Sequence, residues 1–215
     1  MFGYEPIEIC ESGIVATIEG NKSSKTFLLR ADMDALPMKE DTNCDFKSNN
    51  GCMHSCGHDM HTAMLLGAAK LLKQNQEQIE GTVKLVFQPD EEGFTGAKKM
   101  INAGVLENPK VNAAMAMHVH SGTPSNVVLY GLGTSIAGCN RFRIVVKGIG
   151  CHGAMPETGI DPINIAAHIY LSLQEITSRE IPSTKPAVLT IGKFIGGDTP
   201  NTPNTCLLYT SPSPR

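Results

Sequence analysis

The chain has 215 residues, 41% of them hydrophobic and 18% charged, which suffices to bury a core in one large domain or two small ones. A formal net charge of −3 with both signs interspersed gives no electrostatic basis for binding nucleic acid or an anionic membrane. The sequence shows neither an apolar run of membrane-spanning length nor the basic and apolar start of a secretion signal.

The first part of the chain alternates predicted strands with predicted helices. The patterns indicate strands at 26–33, 82–88 and 112–119, and helices at 59–75 and 95–104. Asp59 is the expected N-cap of the first helix, and Gly104 is the expected stop of the second. This alternation predicts an α/β domain over residues 1–135, with a mostly parallel sheet and flanking helices.

The character of the sequence changes after about residue 123. Residues 141–148 alternate polar and apolar side chains, 161–180 have an apolar helical face behind Asp161, and 186–194 form another strand pattern. We therefore expect a second, smaller α+β domain over residues 136–205.

The last ten residues, 206–215, form a Ser/Pro-containing stretch that fits neither strand nor helix. We interpret them as a disordered tail or, preferably, as a non-native sequence, and exclude them from the fold prediction.

Residues 54–61, HSCGHDMH, concentrate metal-capable side chains in one short run. A structural zinc site, a redox thiol site and a catalytic metal centre are the candidates. In an extended loop, side chains two residues apart point the same way, so Cys56 and His58 can face one metal together.

Further acids and histidines follow the predicted strands: Asp32 and Asp34 after the first, Glu91 and Glu92 after the second, and His118 after the third. Carboxyl ends of parallel strands meet at one sheet edge, where ligands bind. A catalytic metal centre needs such convergence, whereas a structural zinc site does not. Neighbours in an extended segment point oppositely, so one glutamate can bind metal while the other acts as a base.

Each feature also has a simpler interpretation. Buried cysteines are usually small hydrophobic residues, a Glu-Glu pair is usually a solvated turn, and a single histidine is more often a core residue than a ligand. Cys52 and Cys56 offer a redox pair, although redox motifs usually place two residues between their cysteines. The odd total of seven cysteines, without small-scaffold spacing, indicates reduced thiols and a cytoplasmic location.

Five segments in order resemble the M20 metallopeptidase family, in its branch of aminoacylases, hippurate hydrolase and auxin-conjugate hydrolases. They are RADMDALP (30–37), HSCGHDMH (54–61), FQPDEEG (87–93), MHVH (117–120) and GCHGAMPETGIDPI (150–163). The resemblance covers about Gly3 to Thr205. It implies a two-metal catalytic domain with an inserted lid domain that usually pairs two subunits.

The resemblance also implies roles for individual residues. The metal ligands would be Cys56, His58, Glu92 and His118, with Glu91 as the general base. Asp34 would orient a ligand, whereas Asp32 stands where the wider family has a histidine and is not expected to bind metal. His152 would steady the oxyanion in the partner's active site, and Asn201 would contact the substrate carboxylate.

The implied reaction is hydrolysis of an N-acyl amino acid by a metal-activated water. The intact protein would be a homodimer with two divalent ions per subunit, zinc or manganese, with cobalt or nickel as further options. Family members continue beyond residue 205 and supply a last histidine ligand. We therefore interpret the chain as a fragment with weak or no activity.

Three alternatives remain open. Within the family, the protein could be a dipeptidase or carboxypeptidase. The chain could instead be a non-catalytic metal-binding or dimerisation fragment. A redox-thiol protein would form a Cys52–Cys56 disulfide under mild oxidation.

Overall fold

A computed structural model describes residues 2–133, 138–197 and 205–210, without the side chains of 23, 24 and 205–210. The chain divides into two compact units, Met1–Val127 and Val128–Arg215. The predicted boundary near residue 136 falls inside the second unit, and the domain limits remain a prediction. Within the described ranges, no helix combines the length and apolarity needed to cross a bilayer.

The first unit is built on a five-stranded sheet. Its strands are β1 (Ile7–Ile9), β2 (Gly13–Glu19), β3 (Lys22–Asp32), β4 (Glu80–Gln88) and β5 (Ala113–Ala116), in the spatial order β1-β2-β4-β3-β5. β3 runs parallel to both β4 and β5, whereas β2 pairs antiparallel with β1 and β4. The α/β class is confirmed, but the sheet is mixed, so the expectation of a mostly parallel sheet was wrong.

Two helices flank this sheet, α1 (His58–Gln74) and α2 (Gly96–Asn102). α1 buries Leu65 and Ala69 against one face of the sheet, and Met100 of α2 packs on the other face with Val86. The two apolar faces come from the alternation of side chains along each strand. The sheet is thereby held between two layers.

The start of α1 differs from the prediction. Gly57 is the N-cap, in the left-handed conformation with φ 81°, and Asp59 lies in the first turn of the helix. Glycine is favoured there because it has no Cβ to oppose a positive φ. The N-cap lies two residues earlier than predicted, which makes His58 the first residue of the helix.

The described part of the second unit contains an antiparallel three-stranded sheet, in the order β6-β8-β7, and one α-helix, together with a 3-10 turn (Pro156–Thr158) and a π-helical turn (Ile176–Glu180). The strands are β6 (Arg143–Lys147), β7 (Ile191–Gly196) and β8 (Thr205–Thr210), and the helix is α3 (Pro162–Glu175). The Asp161 side chain caps α3 by accepting hydrogen bonds from Ile163 N–H (2.9 Å) and Asn164 N–H (3.2 Å), as predicted. Ala166 is fully buried against Ile144 and Val146 of β6.

Two sequence expectations fail in this unit. The strand predicted from residue 186 begins only at Ile191. Residues 206–210, expected to be outside regular structure, form most of β8, the middle strand of the sheet. Residues 211–215 lie outside the described part of the chain, and the origin of the whole stretch remains a prediction.

Candidate metal centre

The metal-capable side chains gather where strands of the first unit end. β3 ends at Asp32, β4 at Gln88 and β5 at Ala116, and the parallel pairing brings these three ends to the same edge of the sheet. Three overlapping groups hold ligand atoms within 4.8 Å of one another: Cys56, His58 and His118; His58, Glu91 and Glu92; and Asp32, His58 and His61. His58 belongs to all three groups and is the centre of the site.

His58 is 1% exposed, and its ring orientation is fixed by Asp34. Its Nδ1 lies 3.0 Å from the backbone carbonyl oxygen of Asp34 and 3.2 Å from Asp34 Oδ1. Because both are acceptors, Nδ1 carries the ring proton and donates to them. In the neutral ring, Nε2 then presents a lone pair to the site.

Among the described residues, His58 Nε2 has no hydrogen-bond partner although it is buried. It lies 3.7 Å from Asp32 Oδ2 and 3.9 Å from Glu91 Oε2, beyond hydrogen-bonding distance. A buried polar atom without a partner costs about 1–3 kcal/mol of stability. A cation between this nitrogen and the nearby carboxylates would remove that cost.

Cys56 and His118 face each other across the site. Cys56 Sγ lies 3.4 Å from His118 Nε2. His118 Nδ1 lies 2.6 Å from the carbonyl oxygen of Val119, so Nδ1 again carries the proton and Nε2 the lone pair. Both histidines therefore present Nε2 to the same space.

The pKa of the Cys56 thiol is raised to about 11. Burial is the main cause, followed by the negative charge of Glu92, a hydrogen bond to Glu92 and the charges of Glu91 and Asp32. A thiol surrounded by carboxylates keeps its proton at neutral pH and is a poor nucleophile. The same surroundings favour a divalent cation, whose charge would offset the carboxylates and stabilise the thiolate.

The two glutamates are half-buried. Burial raises the pKa of Glu91, and the neighbouring charge of Glu92 raises it further. Glu92 N–H donates to Asp34 Oδ2 at 3.0 Å, so Asp34 holds both His58 and the glutamate segment. A half-buried carboxyl group with a raised pKa is better suited than an exposed one to accept a proton.

Asp32 and His61 form a buried pair that the sequence did not lead us to expect. His61 Nδ1 lies 2.5 Å from Asp32 Oδ1, and Arg30 donates to Asp32 Oδ2 at 2.8 Å. Burial opposes ionisation of Asp32, but the His61 hydrogen bond and the charges of Arg30, His58 and His61 outweigh it, and the pKa of Asp32 is lowered. His61 is the last residue of the HSCGHDMH segment (54–61), and its spacing did not indicate that its role differs from those of His54 and His58.

The predicted site residues fall into three groups according to where the structure places them. The structure brings together the four predicted ligands, the predicted base and the predicted orienting residue: Cys56, His58, Glu92, His118, Glu91 and Asp34. His152 is an exposed residue of the second unit, where its Nδ1 accepts from Ala154 N–H at 3.1 Å. Asn201 lies outside the described residues.

The donor set fits a divalent transition-metal ion. One thiol, two imidazole nitrogens and a carboxylate are ligands that zinc and its neighbours accept. The adjacent second carboxylate, Glu91, lies in one group with His58 and Glu92, and its Oε2 is 3.9 Å from His58 Nε2. The fold and the site together define an α/β protein with the side chains of a candidate metal centre.

The chain belongs to peptidase family M20/M25/M40, whose model matches residues 28–206. It is 45% identical over 191 residues to "IAA-amino acid hydrolase ILR1-like 5" of Arabidopsis thaliana, covering 88% of this chain and 43% of that protein. It is 40% identical over 200 residues to "N-acetyl-L-cysteine deacetylase" of Bacillus subtilis, covering 92% of this chain and 48% of that protein.

A similar solved structure is that of Bacillus subtilis YXEP protein, described as a dinuclear metal binding peptidase from the M20 family. The match has a TM-score of 0.69 and 34% identity, and covers 98% of this chain and 54% of the other. The chain thus spans about half the length of the relatives it matches.

Proposed function

We propose that the protein is a metal-dependent amidohydrolase that cleaves the amide bond of N-acyl amino acids. The observation that supports this most directly is the buried, unpartnered Nε2 of His58, which faces carboxylates beside Cys56 and His118. The relatives named for hydrolysis of an IAA-amino acid and for deacetylation of N-acetyl-L-cysteine support the same substrate class.

Cys56, His58, Glu92 and His118 are the proposed ligands of a centre that holds two divalent ions in the intact protein, zinc or manganese first. When bound, the ions would polarise the amide carbonyl and acidify a water molecule. The name of the solved relative, a dinuclear metal binding peptidase, supports the number of ions. Asp34 keeps the Nδ1 proton on His58 and so leaves Nε2 available as a ligand.

Glu91 is the proposed general base. Its carboxylate takes a proton from the attacking water and returns it to the amide nitrogen as the carbon–nitrogen bond breaks. The pKa raised by burial and by Glu92 increases the driving force for accepting this proton. The same raised pKa makes protonated Glu91 a weaker acid in the later step, in which it returns the proton to the amide nitrogen.

We extend the proposal to the second unit from the family resemblance alone. That unit would be the lid and dimerisation domain, His152 would steady the oxyanion in the partner's site, and Asn201 would contact the substrate carboxylate. The free thiols of Cys10, Cys44, Cys52, Cys56, Cys139 and Cys151 support a cytoplasmic location. We expect the 215-residue chain to hydrolyse substrate weakly or not at all.

The first experiment separates the two adjacent glutamates. Purified wild type, Glu91→Gln and Glu92→Gln are loaded with Zn²⁺ or Mn²⁺, and the metal per chain is measured by elemental analysis. We expect Glu92→Gln to lose metal and Glu91→Gln to keep it, with any hydrolysis of N-acetyl amino acids lost in both. Glu5→Gln, which changes an exposed carboxylate before β1, is the matched control.

Wild type that binds no metal would refute the proposed centre for this chain, and equal metal in both glutamate variants would refute the division of roles. A panel of N-acetyl amino acids against dipeptides then distinguishes deacylase from peptidase activity. The peptidase alternative is kept because the family and the solved relative carry that description. Metal binding without hydrolysis of either class is compatible with both the weak activity expected of this chain and the non-catalytic interpretation.

A further inference from the structure

Both ring nitrogens of His61 are engaged by groups that are not proposed metal ligands, Asp32 and the backbone of Val119. His61 is 2% exposed. Its Nδ1 lies 2.5 Å from Asp32 Oδ1, and its Nε2 accepts a hydrogen bond from the Val119 N–H at 2.9 Å. His61 therefore connects the end of β3 with the segment that follows β5.

These two contacts define the tautomer of His61. The backbone N–H of Val119 can only donate, so Nε2 presents its lone pair. The proton is then on Nδ1, where it is donated to Asp32, and Arg30 holds the other carboxylate oxygen at 2.8 Å. With both nitrogens occupied, His61 has no lone pair left to bind a metal ion.

Val119 is fixed from a second direction. A Cβ added to Gly57 would lie 2.4 Å from Val119 Cγ2, so the valine side chain packs directly on the glycine backbone. Gly57 stands between the two proposed ligands Cys56 and His58. Val119 is thus clamped between the loop that carries these ligands and the ring of His61.

Apart from its contact with Cys56, the described contacts of the His118 side chain are with Val119 and the neighbouring histidine rings. His118 is an exposed residue, and its ring contacts the Val119 carbonyl oxygen through Nδ1 at 2.6 Å. The ring of His61 packs edge to face against it, with 4.5 Å between the centroids. The orientation of His118 Nε2 toward Cys56 follows from where Val119 is placed.

We propose that His61, held by Asp32, is a positioning residue for His118: its Nε2 fixes the Val119 amide and so aims His118 at the metal centre. The inference rests on the proposed metal centre and adds to it a residue that does not itself bind the ion. It also gives a role to Asp32, which holds the tautomer of His61 rather than acting as a ligand.

Two variants of His61 separate its two contacts. In His61→Gln, the side-chain oxygen reaches about where Nε2 lies and can accept from Val119. In His61→Asn, the amide nitrogen reaches about where Nδ1 lies and can donate to Asp32, but Val119 N–H loses its acceptor. His168→Asn, at an exposed position of α3 in the second unit, is the matched control.

The probe is Co²⁺ alone, titrated into the 215-residue chain and followed by its visible absorption. We expect the dissociation constant of His61→Asn to rise by about 10–100-fold, as is typical for loss of a contact that orients a ligand. His61→Gln should recover most of this loss, and His168→Asn should match wild type. Thermal unfolding of each variant shows that the comparison is made between folded chains.

A second measurement needs no variant. Long-range ¹H–¹⁵N correlation NMR of the wild-type chain should show His61 protonated on Nδ1 and unprotonated on Nε2, both without metal and after diamagnetic Zn²⁺ is added. The opposite tautomer, or direct binding of Zn²⁺ by His61 Nε2, would overturn the inference while leaving the metal centre intact. So would an affinity of His61→Asn equal to that of wild type. Failure of wild type to bind Co²⁺ would instead overturn the proposed centre, and this inference with it.

Discussion

Cys56 Sγ and His118 Nε2 lie 3.4 Å apart although 62 residues separate them in the chain. The contact exists because Cys56 precedes α1 while His118 follows β5, and both elements flank the carboxyl end of β3. A sulfur and a nitrogen lone pair at this distance share a thiol proton in the absence of a cation, and a cation can take the place of that proton.

Replacing the thiol should remove the softest ligand of the centre. We expect Cys56→Ser to raise the Co²⁺ dissociation constant by more than about tenfold, because a neutral hydroxyl is a much weaker ligand than a thiolate. The intense thiolate-to-cobalt absorption should disappear from the spectrum. Cys44→Ser, which alters another half-buried thiol, should leave both unchanged. Retention of the thiolate band in Cys56→Ser would show that another cysteine binds the ion.

Metal binding should strengthen as pH rises. The pKa of Cys56 is about 11, so the thiol is protonated at neutral pH and must release its proton when the ion binds. Protons compete with the metal below this pKa, which gives about a tenfold gain in affinity per pH unit from this group. Calorimetry in two buffers of different ionisation enthalpy should count about one proton released from Cys56. A pH-independent affinity in wild type, or unchanged proton release in Cys56→Ser, would contradict this.

We expect metal affinity to be sensitive to substitution of Asp34, although this residue is not a proposed ligand. In the wild type, His58 Nδ1 donates to Asp34 Oδ1 and Glu92 N–H donates to Asp34 Oδ2. Asp34→Asn keeps the size of the side chain but leaves only one oxygen to accept both hydrogen bonds. We expect metal affinity to fall by about 10–100-fold. The matched control is Asp41→Asn, on an exposed side chain paired with Lys39. Equal affinities of the two variants would show that Asp34 does not orient the centre.

Gly57 and Gly51 provide a paired test of backbone and packing. Both have a positive φ, 81° and 82°, but an added Cβ at Gly51 meets nothing within 4 Å, whereas at Gly57 it meets Val119. Gly51→Ala should cost about 1–2 kcal/mol from left-handed backbone strain alone. Gly57→Ala should cost more in thermal or denaturant unfolding and should also weaken Co²⁺ binding. Similar stability losses in both variants, with unchanged Co²⁺ binding, would mean that Val119 moves away freely.

The sequence predicted those elements that combine a strong apolar period with clear boundaries. β3, β4 and α1 were found in this way. The hairpin of β1 and β2 was missed because β1 has only three residues and the turn is made by Cys10, Glu11 and Ser12, three consecutive non-glycine residues with positive φ. This antiparallel hairpin is why the sheet is mixed.

The grouping of the candidate site followed from strand ends alone, because parallel pairing brings them to one edge whatever the details of packing. The partners of each side chain were not predictable in the same way. The contact of His61 with the backbone of Val119 depends on the distance between α1 and the segment after β5. That distance cannot be predicted from the residue types. For the same reason, the sequence excluded Asp32 as a ligand but did not indicate its contact with His61.

The two parallel registers of β3 set the ligand geometry of the site. β3 pairs Asp32 with Gln88 on one side and Arg30 with Ala116 on the other, and the functional segments follow directly. A slip of one residue in either register would move a whole donor segment by about 3.3 Å and reverse its side chains. Metal affinity therefore reports on the alignment of the strands. A core substitution that shifts β3 would weaken metal binding even though no ligand residue is changed.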